Sequence, residues 1–306
     1  MTDIPATLLI PTGTQVVTRV DLRDAASGLL RQRGAVGVIV AAPDDTQPAY
    51  RVRFADGGEA ALDRAELSIR KVFQRDGLEL EQPSKPELER AIIYRCVIGS
   101  RAYGLDDDAS DTDRRGIFLP PADLHWSLGG VPEQIEDADT RDTYWELQKF
   151  LVLALKANPN MLECLATPIV EHATPLALEL RAMQGAFVSK LIYQTYNGYV
   201  LSQFKKLEQD LRTKGAIKQK HAMHLIRLLL AGATALREGV IAVHVTDQRD
   251  RLLAIKRGEM PWAEVNAWRL ELHRQFDTAF AATRLPERPD YERVNAFLVR
   301  ARRSMI

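Results

Sequence analysis

Gly99 and Ser100 close an apolar run that starts at Ala91, and after ten intervening residues Asp111 and Asp113 open a second run ending at Leu119. A glycine at a strand end lets the backbone come close to a ligand, so that amides and the serine hydroxyl can cradle phosphate oxygens. In a strand the side-chain period of two places Asp111, Asp113 and Arg115 on one face and Thr112 and Arg114 on the other. Two adjacent carboxylates on one face suit Mg²⁺ or Mn²⁺, which favour hard oxygen ligands and share their shell with substrate phosphates. Two such ions about 3.5–4 Å apart can stabilise the entering and the leaving oxygen of an in-line displacement. An isolated Asp-x-Asp is common solvated charge, but its joint occurrence with a strand and a Gly-Ser turn is far more specific.

The run Gly99-Ser100-Arg101-Ala102-Tyr103-Gly104, followed after five residues by Ser110-Asp111-Thr112-Asp113-Arg114-Arg115-Gly116, resembles the signature of the DNA polymerase beta superfamily. Within it, the chain is similar to the predicted nucleotidyltransferases associated with bacterial RNA repair. Supporting matches continue through Glu146–Phe150, Lys156–Glu163 and Lys220–Arg227, so the likeness spans roughly residues 90–300. It implies a minimal nucleotidyltransferase fold that moves a nucleoside monophosphate from an NTP to a hydroxyl acceptor, an RNA end in repair or processing. Asp111 and Asp113 would hold the metals. A third carboxylate would join them and help deprotonate the attacking hydroxyl; Asp142 is the choice, with Glu136, Asp137 and Asp139 crowding the same stretch.

Gly99, Ser100, Arg101, Tyr103, Arg115 and Lys149 are the nucleotide-binding candidates. Arg115 could equally pair with a neighbouring carboxylate, and Lys149 could be a solvated surface lysine. Two other functions use the same residues: transfer of a nucleotide to a protein side chain (AMPylation-type), and a nucleotide- or RNA-binding module without turnover.

These residues need elements to hold them, and the patterning predicts an α+β chain. Residues 1–75 carry short β-rich runs, Val36–Val40, Tyr50–Phe54 and Ala60–Leu62, separated by Pro43-Asp44-Asp45 and Asp56-Gly57-Gly58 turns. They predict a small barrel, and Arg33–Ile39 resembles KOW or SH3-like barrels that contact RNA or protein. Residues 76–89, with Pro83 and Pro86, read as a linker. Residues 90–175 form the expected nucleotidyltransferase core, a mixed sheet with flanking helices. Residues 176–306 form a helical domain, because Ile192, Tyr196, Val200, Phe204, Leu207 and Leu211 recur at helical steps, as do Ile226, Leu229, Leu230 and Ala233.

Composition narrows the partners. Lys plus Arg and Asp plus Glu are each 41, giving no net field toward nucleic acid or anionic lipid. The local exception is Lys205 to Arg227, where seven basic residues face Glu208 and Asp210; it is the candidate RNA-contact region. Cys96 and Cys164 lie in apolar runs and read as reduced core thiols. No signal peptide or membrane span is predicted, so a cytoplasmic location is expected. Asp106, Asp108 and Ser110 alternate as in a calcium loop, but Asp111 stands where that loop needs glycine and Ile117 where it needs glutamate. His221 and His224 share a helix face and read as packing or surface residues.

Overall fold

The computed structural model describes residues 9–23, 30–44, 47–76, 82–107 and 110–306, in two compact units, Met1–Glu81 and Gln82–Ile306. Asp108 of the rejected calcium loop, Asp45 of the first turn and residues 77–81 of the expected linker lie outside the described residues.

The first unit contains β1 (Gln15–Thr18), β2 (Leu22–Arg23), β3 (Leu30–Arg31), β4 (Val36–Ala41), β5 (Tyr50–Phe54), β6 (Glu59–Leu62) and β7 (Leu67–Ile69), followed by α1 (Arg70–Asp76). Five strands pair antiparallel in the order β6-β5-β4-β1-β7, and β2 pairs with β3. The ladder does not close between β6 and β7 among the described residues. Alternation builds its core: Tyr50, Val52 and Phe54 point inward with Val16, Ile39 and Leu62, while Arg51 and Arg53 point out.

The second unit opens with α2 (Lys85–Arg90), inside the stretch expected to be linker. Ser84 and Glu87 form a reciprocal capping box, and Pro86 falls in the first turn, where its missing N–H costs nothing. Next come β8 (Ile92–Ile98), α3 (Ser100–Tyr103), β9 (Asp113–Phe118), α4 (Ala122–Trp126), β10 (Gln134–Glu136), β11 (Thr143–Glu146), α5 (Leu147–Leu155), α6 (Pro159–Ala166) and β12 (Val170–Ala173). The sheet runs β10-β11-β9-β8-β12; β9 and β11 are parallel and every other pair is antiparallel.

Pleating divides this sheet into two faces. Tyr94, Cys96, Ile98, Ile117 and Trp145 face α5 and α6, burying Phe150, Leu151, Leu162 and Cys164. Ile92, Phe118 and Tyr144 pack on the other side with Leu88 and Ile135.

The helical remainder comprises α7 (Pro175–Ala182), α8 (Leu191–Lys214), α9 (Gln219–Glu238), α10 (Arg249–Arg257), α11 (Trp262–Ala282) and α12 (Tyr291–Arg303). The core beneath the sheet continues into these helices through Ile192, Tyr196, Leu225, Leu229 and Phe276, so sheet and helices share one interior. α9 is central and packs on α8, α10 and α11. No helix among the described residues is long and apolar enough to cross a membrane.

Candidate active site

The β8–β9 hairpin register pairs Ile98 with Asp113, which brings Asp113 to the Gly-Ser turn that follows β8. Gly99 has φ +75° and ψ −154°, a conformation open essentially to glycine alone. A Cβ there would lie 2.6 Å from Asp113 Oδ2, so the carboxylate rests directly on the turn. Ser100 starts α3, and the amides of a first helical turn have no intrahelical acceptor.

Asp111 precedes β9 and is not a strand residue as the alternation predicted; it is exposed beside the turn. Arg115 does share the face of Asp113, with Nη2 at 3.9 Å from Oδ1, while Nη1 donates to the carbonyls of Arg114 at 2.7 Å and Arg141 at 3.0 Å. Arg114 points the other way and grips Glu171 with two bonds from Nε. Arg101 is exposed, and one of its N–H groups donates to Ser110 O at 3.0 Å. These contacts anchor both ends of the Asp111–Asp113 segment.

Asp142 precedes β11, at the same end of the sheet as Asp113 because β9 and β11 run parallel. It lies beside Arg114 and Tyr144, whose ionisation its charge affects, and so on the face opposite Asp113. Among the described residues no three His, Cys, Asp or Glu side chains are grouped closely enough to hold a metal, so Asp142 does not join Asp111 and Asp113 in this arrangement. Two features mark the residue nevertheless. Its Oδ1 is sealed from solvent with no hydrogen-bond partner, and it follows Arg141, whose φ of 60° is a left-handed value rare for a non-glycine residue.

Two nucleotide-binding candidates sit elsewhere. Tyr103 is turned inward: it is 3% exposed, its hydroxyl donates to Glu163 Oε2 at 2.7 Å, and the Arg227 guanidinium lies 3.7 Å from its ring centroid. Burial first, and the Glu163 carboxylate with it, drive the phenol well above its ordinary pKa. Lys149 is in the first turn of α5, which leaves β11 where Glu146 pairs with Phe118, five residues along β9 from Asp113. At about 3.3 Å per residue that is the far end of the strand, and its ammonium is paired with Glu133 at 2.6 Å.

Sequence reasoning missed what braces the turn. Glu163 on α6 and Arg227 on α9 form a buried ion pair at 2.6 Å directly behind Tyr103. Glu163 therefore faces the interior, and Arg227 is withdrawn from the basic surface of α8 and α9. Val245 N–H donates to Tyr103 O, Arg249 Nε to Gly104 O at 2.7 Å, and Lys256 Nζ to Leu105 O and Asp107 Oδ2. No spacing in the sequence announces contacts between residues so far apart. Asn158 is a cap: its side chain accepts from Asn160 N–H and its amide donates to the Tyr199 hydroxyl. His224 packs edge-on against Tyr103, and His221 faces Asp210 at 3.6 Å.

A glycine turn with a carboxylate laid over it is the arrangement the nucleotidyltransferase resemblance implies, and residues 74–300 match the RNA repair pathway DNA polymerase beta family. The chain belongs to that family. An uncharacterized protein of Bacillus subtilis (strain 168), YcgL, is 30% identical over 155 residues, which is 49% of this chain and 58% of that relative's length. The family match takes in the whole β8-to-α11 region and therefore every residue of the turn, its carboxylates and its brace.

Proposed function

We propose that the protein is a metal-dependent nucleotidyltransferase that moves a nucleoside monophosphate from an NTP to a hydroxyl acceptor, an RNA end in repair or processing. The observation that carries this reading is the Asp113 carboxylate resting on Gly99. The donor set fits Mg²⁺ or Mn²⁺: Asp111 and Asp113 offer hard oxygens, and since no third His, Cys, Asp or Glu is grouped with them among the described residues, substrate phosphates and water would complete the shell. When bound, the metals would polarise the phosphoryl group and offset charge on the entering and leaving oxygens.

The chain's own residues have separate tasks. Ser100 and the turn amides hold triphosphate oxygens. Arg101 and Arg115, both at the Asp111–Asp113 segment, balance phosphate charge with planar forks that bond two oxygens at once. Asp142 is the proposed third carboxylate. Its unpartnered Oδ1 and the left-handed Arg141 support the assignment, because an unsatisfied buried oxygen beside a strained backbone residue is the kind of feature that functional sites carry. Tyr103, Glu163 and Arg227 touch no substrate and position the turn from behind.

The exposed Lys205, Lys206, Arg212, Lys218 and Lys220 on and between α8 and α9 are the proposed RNA-contact surface. Incubation with each radiolabelled NTP and Mg²⁺, in the presence of RNA or of a cell protein extract, tests the function. Label on RNA supports it. Label on protein replaces the acceptor, and saturable NTP binding with no label transferred to either contradicts it.

A further inference from the structure

Asp111 lies between α3 and β9 and is exposed, so its place is set by the chain that carries it rather than by packing. Ser110, just before it, is held from several directions. Its N–H donates to Asp107 O at 2.9 Å, and its hydroxyl accepts from Asp107 N–H at 2.9 Å and donates to Asp107 Oδ1 at 2.7 Å. Its carbonyl accepts from Arg101 at 3.0 Å. At the start of the same loop Leu105 N–H donates to Ser100 O at 2.8 Å, which ties that end to the Gly-Ser turn.

One side chain joins the two ends. Lys256 Nζ, reaching from α10, lies 2.9 Å from Leu105 O, 2.8 Å from Asp107 Oδ2 and 3.5 Å from Ser110 Oγ. An ammonium can offer an N–H to each of these acceptors, a carbonyl, a carboxylate and a hydroxyl. Arg249, at the start of α10, donates to Gly104 O at 2.7 Å, so the helix holds two consecutive carbonyls of the loop. Ion pairs at the surface contribute little to stability. The consequence of this clasp is therefore geometric: it fixes the span from Ser100 to Asp111.

We propose that Lys256 is a positioning residue for the acidic pair: by clasping the loop between Leu105 and Ser110 it sets Asp111 where it can share a divalent cation with Asp113. The proposal rests on the nucleotidyltransferase reading, which supplies the metal. Lys256 itself touches neither substrate nor metal.

Charge gives the proposal a sign. Like charges repel, so loss of the Lys256 cation would tighten binding of a metal ion nearby if charge alone mattered. Positioning predicts the reverse, because groups that orient metal ligands are worth about 10–100-fold in affinity.

The test is titration of the full chain with Mn²⁺, the free ion being read by electron paramagnetic resonance. The parent is expected to bind saturably and Asp113→Asn to lose that binding. Lys256→Met should raise the dissociation constant about tenfold while keeping the parent's unfolding midpoint. Ser110→Ala breaks the same clasp without changing charge and should shift the constant in the same direction. Arg257→Met removes an exposed cation of the same helix, paired with Glu259, and should not raise it. Should Lys256→Met fail to fold, Ser110→Ala decides by the same criterion. Binding as tight as the parent's, or tighter, overturns the proposal and leaves the nucleotidyltransferase reading standing. No Mn²⁺ binding by the parent, or binding unchanged in Asp113→Asn, overturns that reading and the positioning role with it.

Discussion

Asp113 Oδ2 rests so closely on Gly99 that any side chain at position 99 would collide with it, its Cβ lying 2.6 Å away. The turn and the carboxylate are thus one unit, and Gly99→Ala strikes both parts. The substitution forces a Cβ into a left-handed backbone at a cost of about 1–3 kcal/mol and displaces the carboxylate. Label transfer should fall by about 100-fold or more, since misplacement by an ångström has that effect. Far-UV circular dichroism should stay near that of the parent. Activity within a fewfold of the parent would show that the contact is not required.

Much of this unit was readable beforehand because it is local. A strand, a glycine turn and a second strand lie within about thirty residues, so their spacing alone outlines them. The same reasoning failed where distant elements decide orientation. Tyr103 looked available to nucleotide, but the short α3 is oriented by α6 and α9, and the cation that captures Tyr103 is more than a hundred residues away in sequence. Lys149 failed differently. Its distance from Asp113 follows from β9 and β11 being parallel, a topology that residue spacing does not reveal. The chain divides inside the expected linker, between Glu81 and Gln82, and only the last residues of that stretch are helical, because Pro86 marks a helix start as readily as a break.

Breaking the buried Glu163–Arg227 pair should be costly. Arg227→Met leaves a carboxylate sealed in the interior without its cation and should destabilise the fold by about 3–5 kcal/mol in urea unfolding. Adding Glu163→Met should recover most of that loss, because an apolar pair of similar volume removes the uncompensated charge. A single variant as stable as the parent would refute the bracing role.

His224 makes stability depend on acid. Burial, and secondarily the charge of Arg227, lower its pKa from 6.5 to about 3. The unfolded chain therefore takes up this proton below pH 6.5 while the native state refuses it until about pH 3. The stabilisation is complete above pH 6.5 and is lost as pH falls through that window, at a limiting slope of about 1.4 kcal/mol per pH unit. His224→Phe keeps an aromatic edge on Tyr103 and should flatten the curve relative to the parent. Parallel curves for the two proteins from pH 6.5 to 4 would contradict this.

Asp142→Asn tests the third carboxylate apart from folding. Asp142→Asn keeps the side chain's shape and removes charge from a sealed, unpartnered oxygen, so stability should fall by no more than about 1 kcal/mol. Transfer should drop by about 100-fold or more, the scale of lost general-base assistance. The affinity for NTP should change little. Full activity in this variant would remove Asp142 from the chemistry and leave Asp111 and Asp113 as the whole acidic set.

The most direct measurement is Mg²⁺-dependent label transfer from radiolabelled NTP to RNA, comparing the parent with Asp113→Asn after matched unfolding curves confirm intact folding. The account predicts that transfer disappears while the unfolding midpoint is retained. Transfer at the parent rate by Asp113→Asn would show that the carboxylate on the Gly-Ser turn is not where the chemistry occurs.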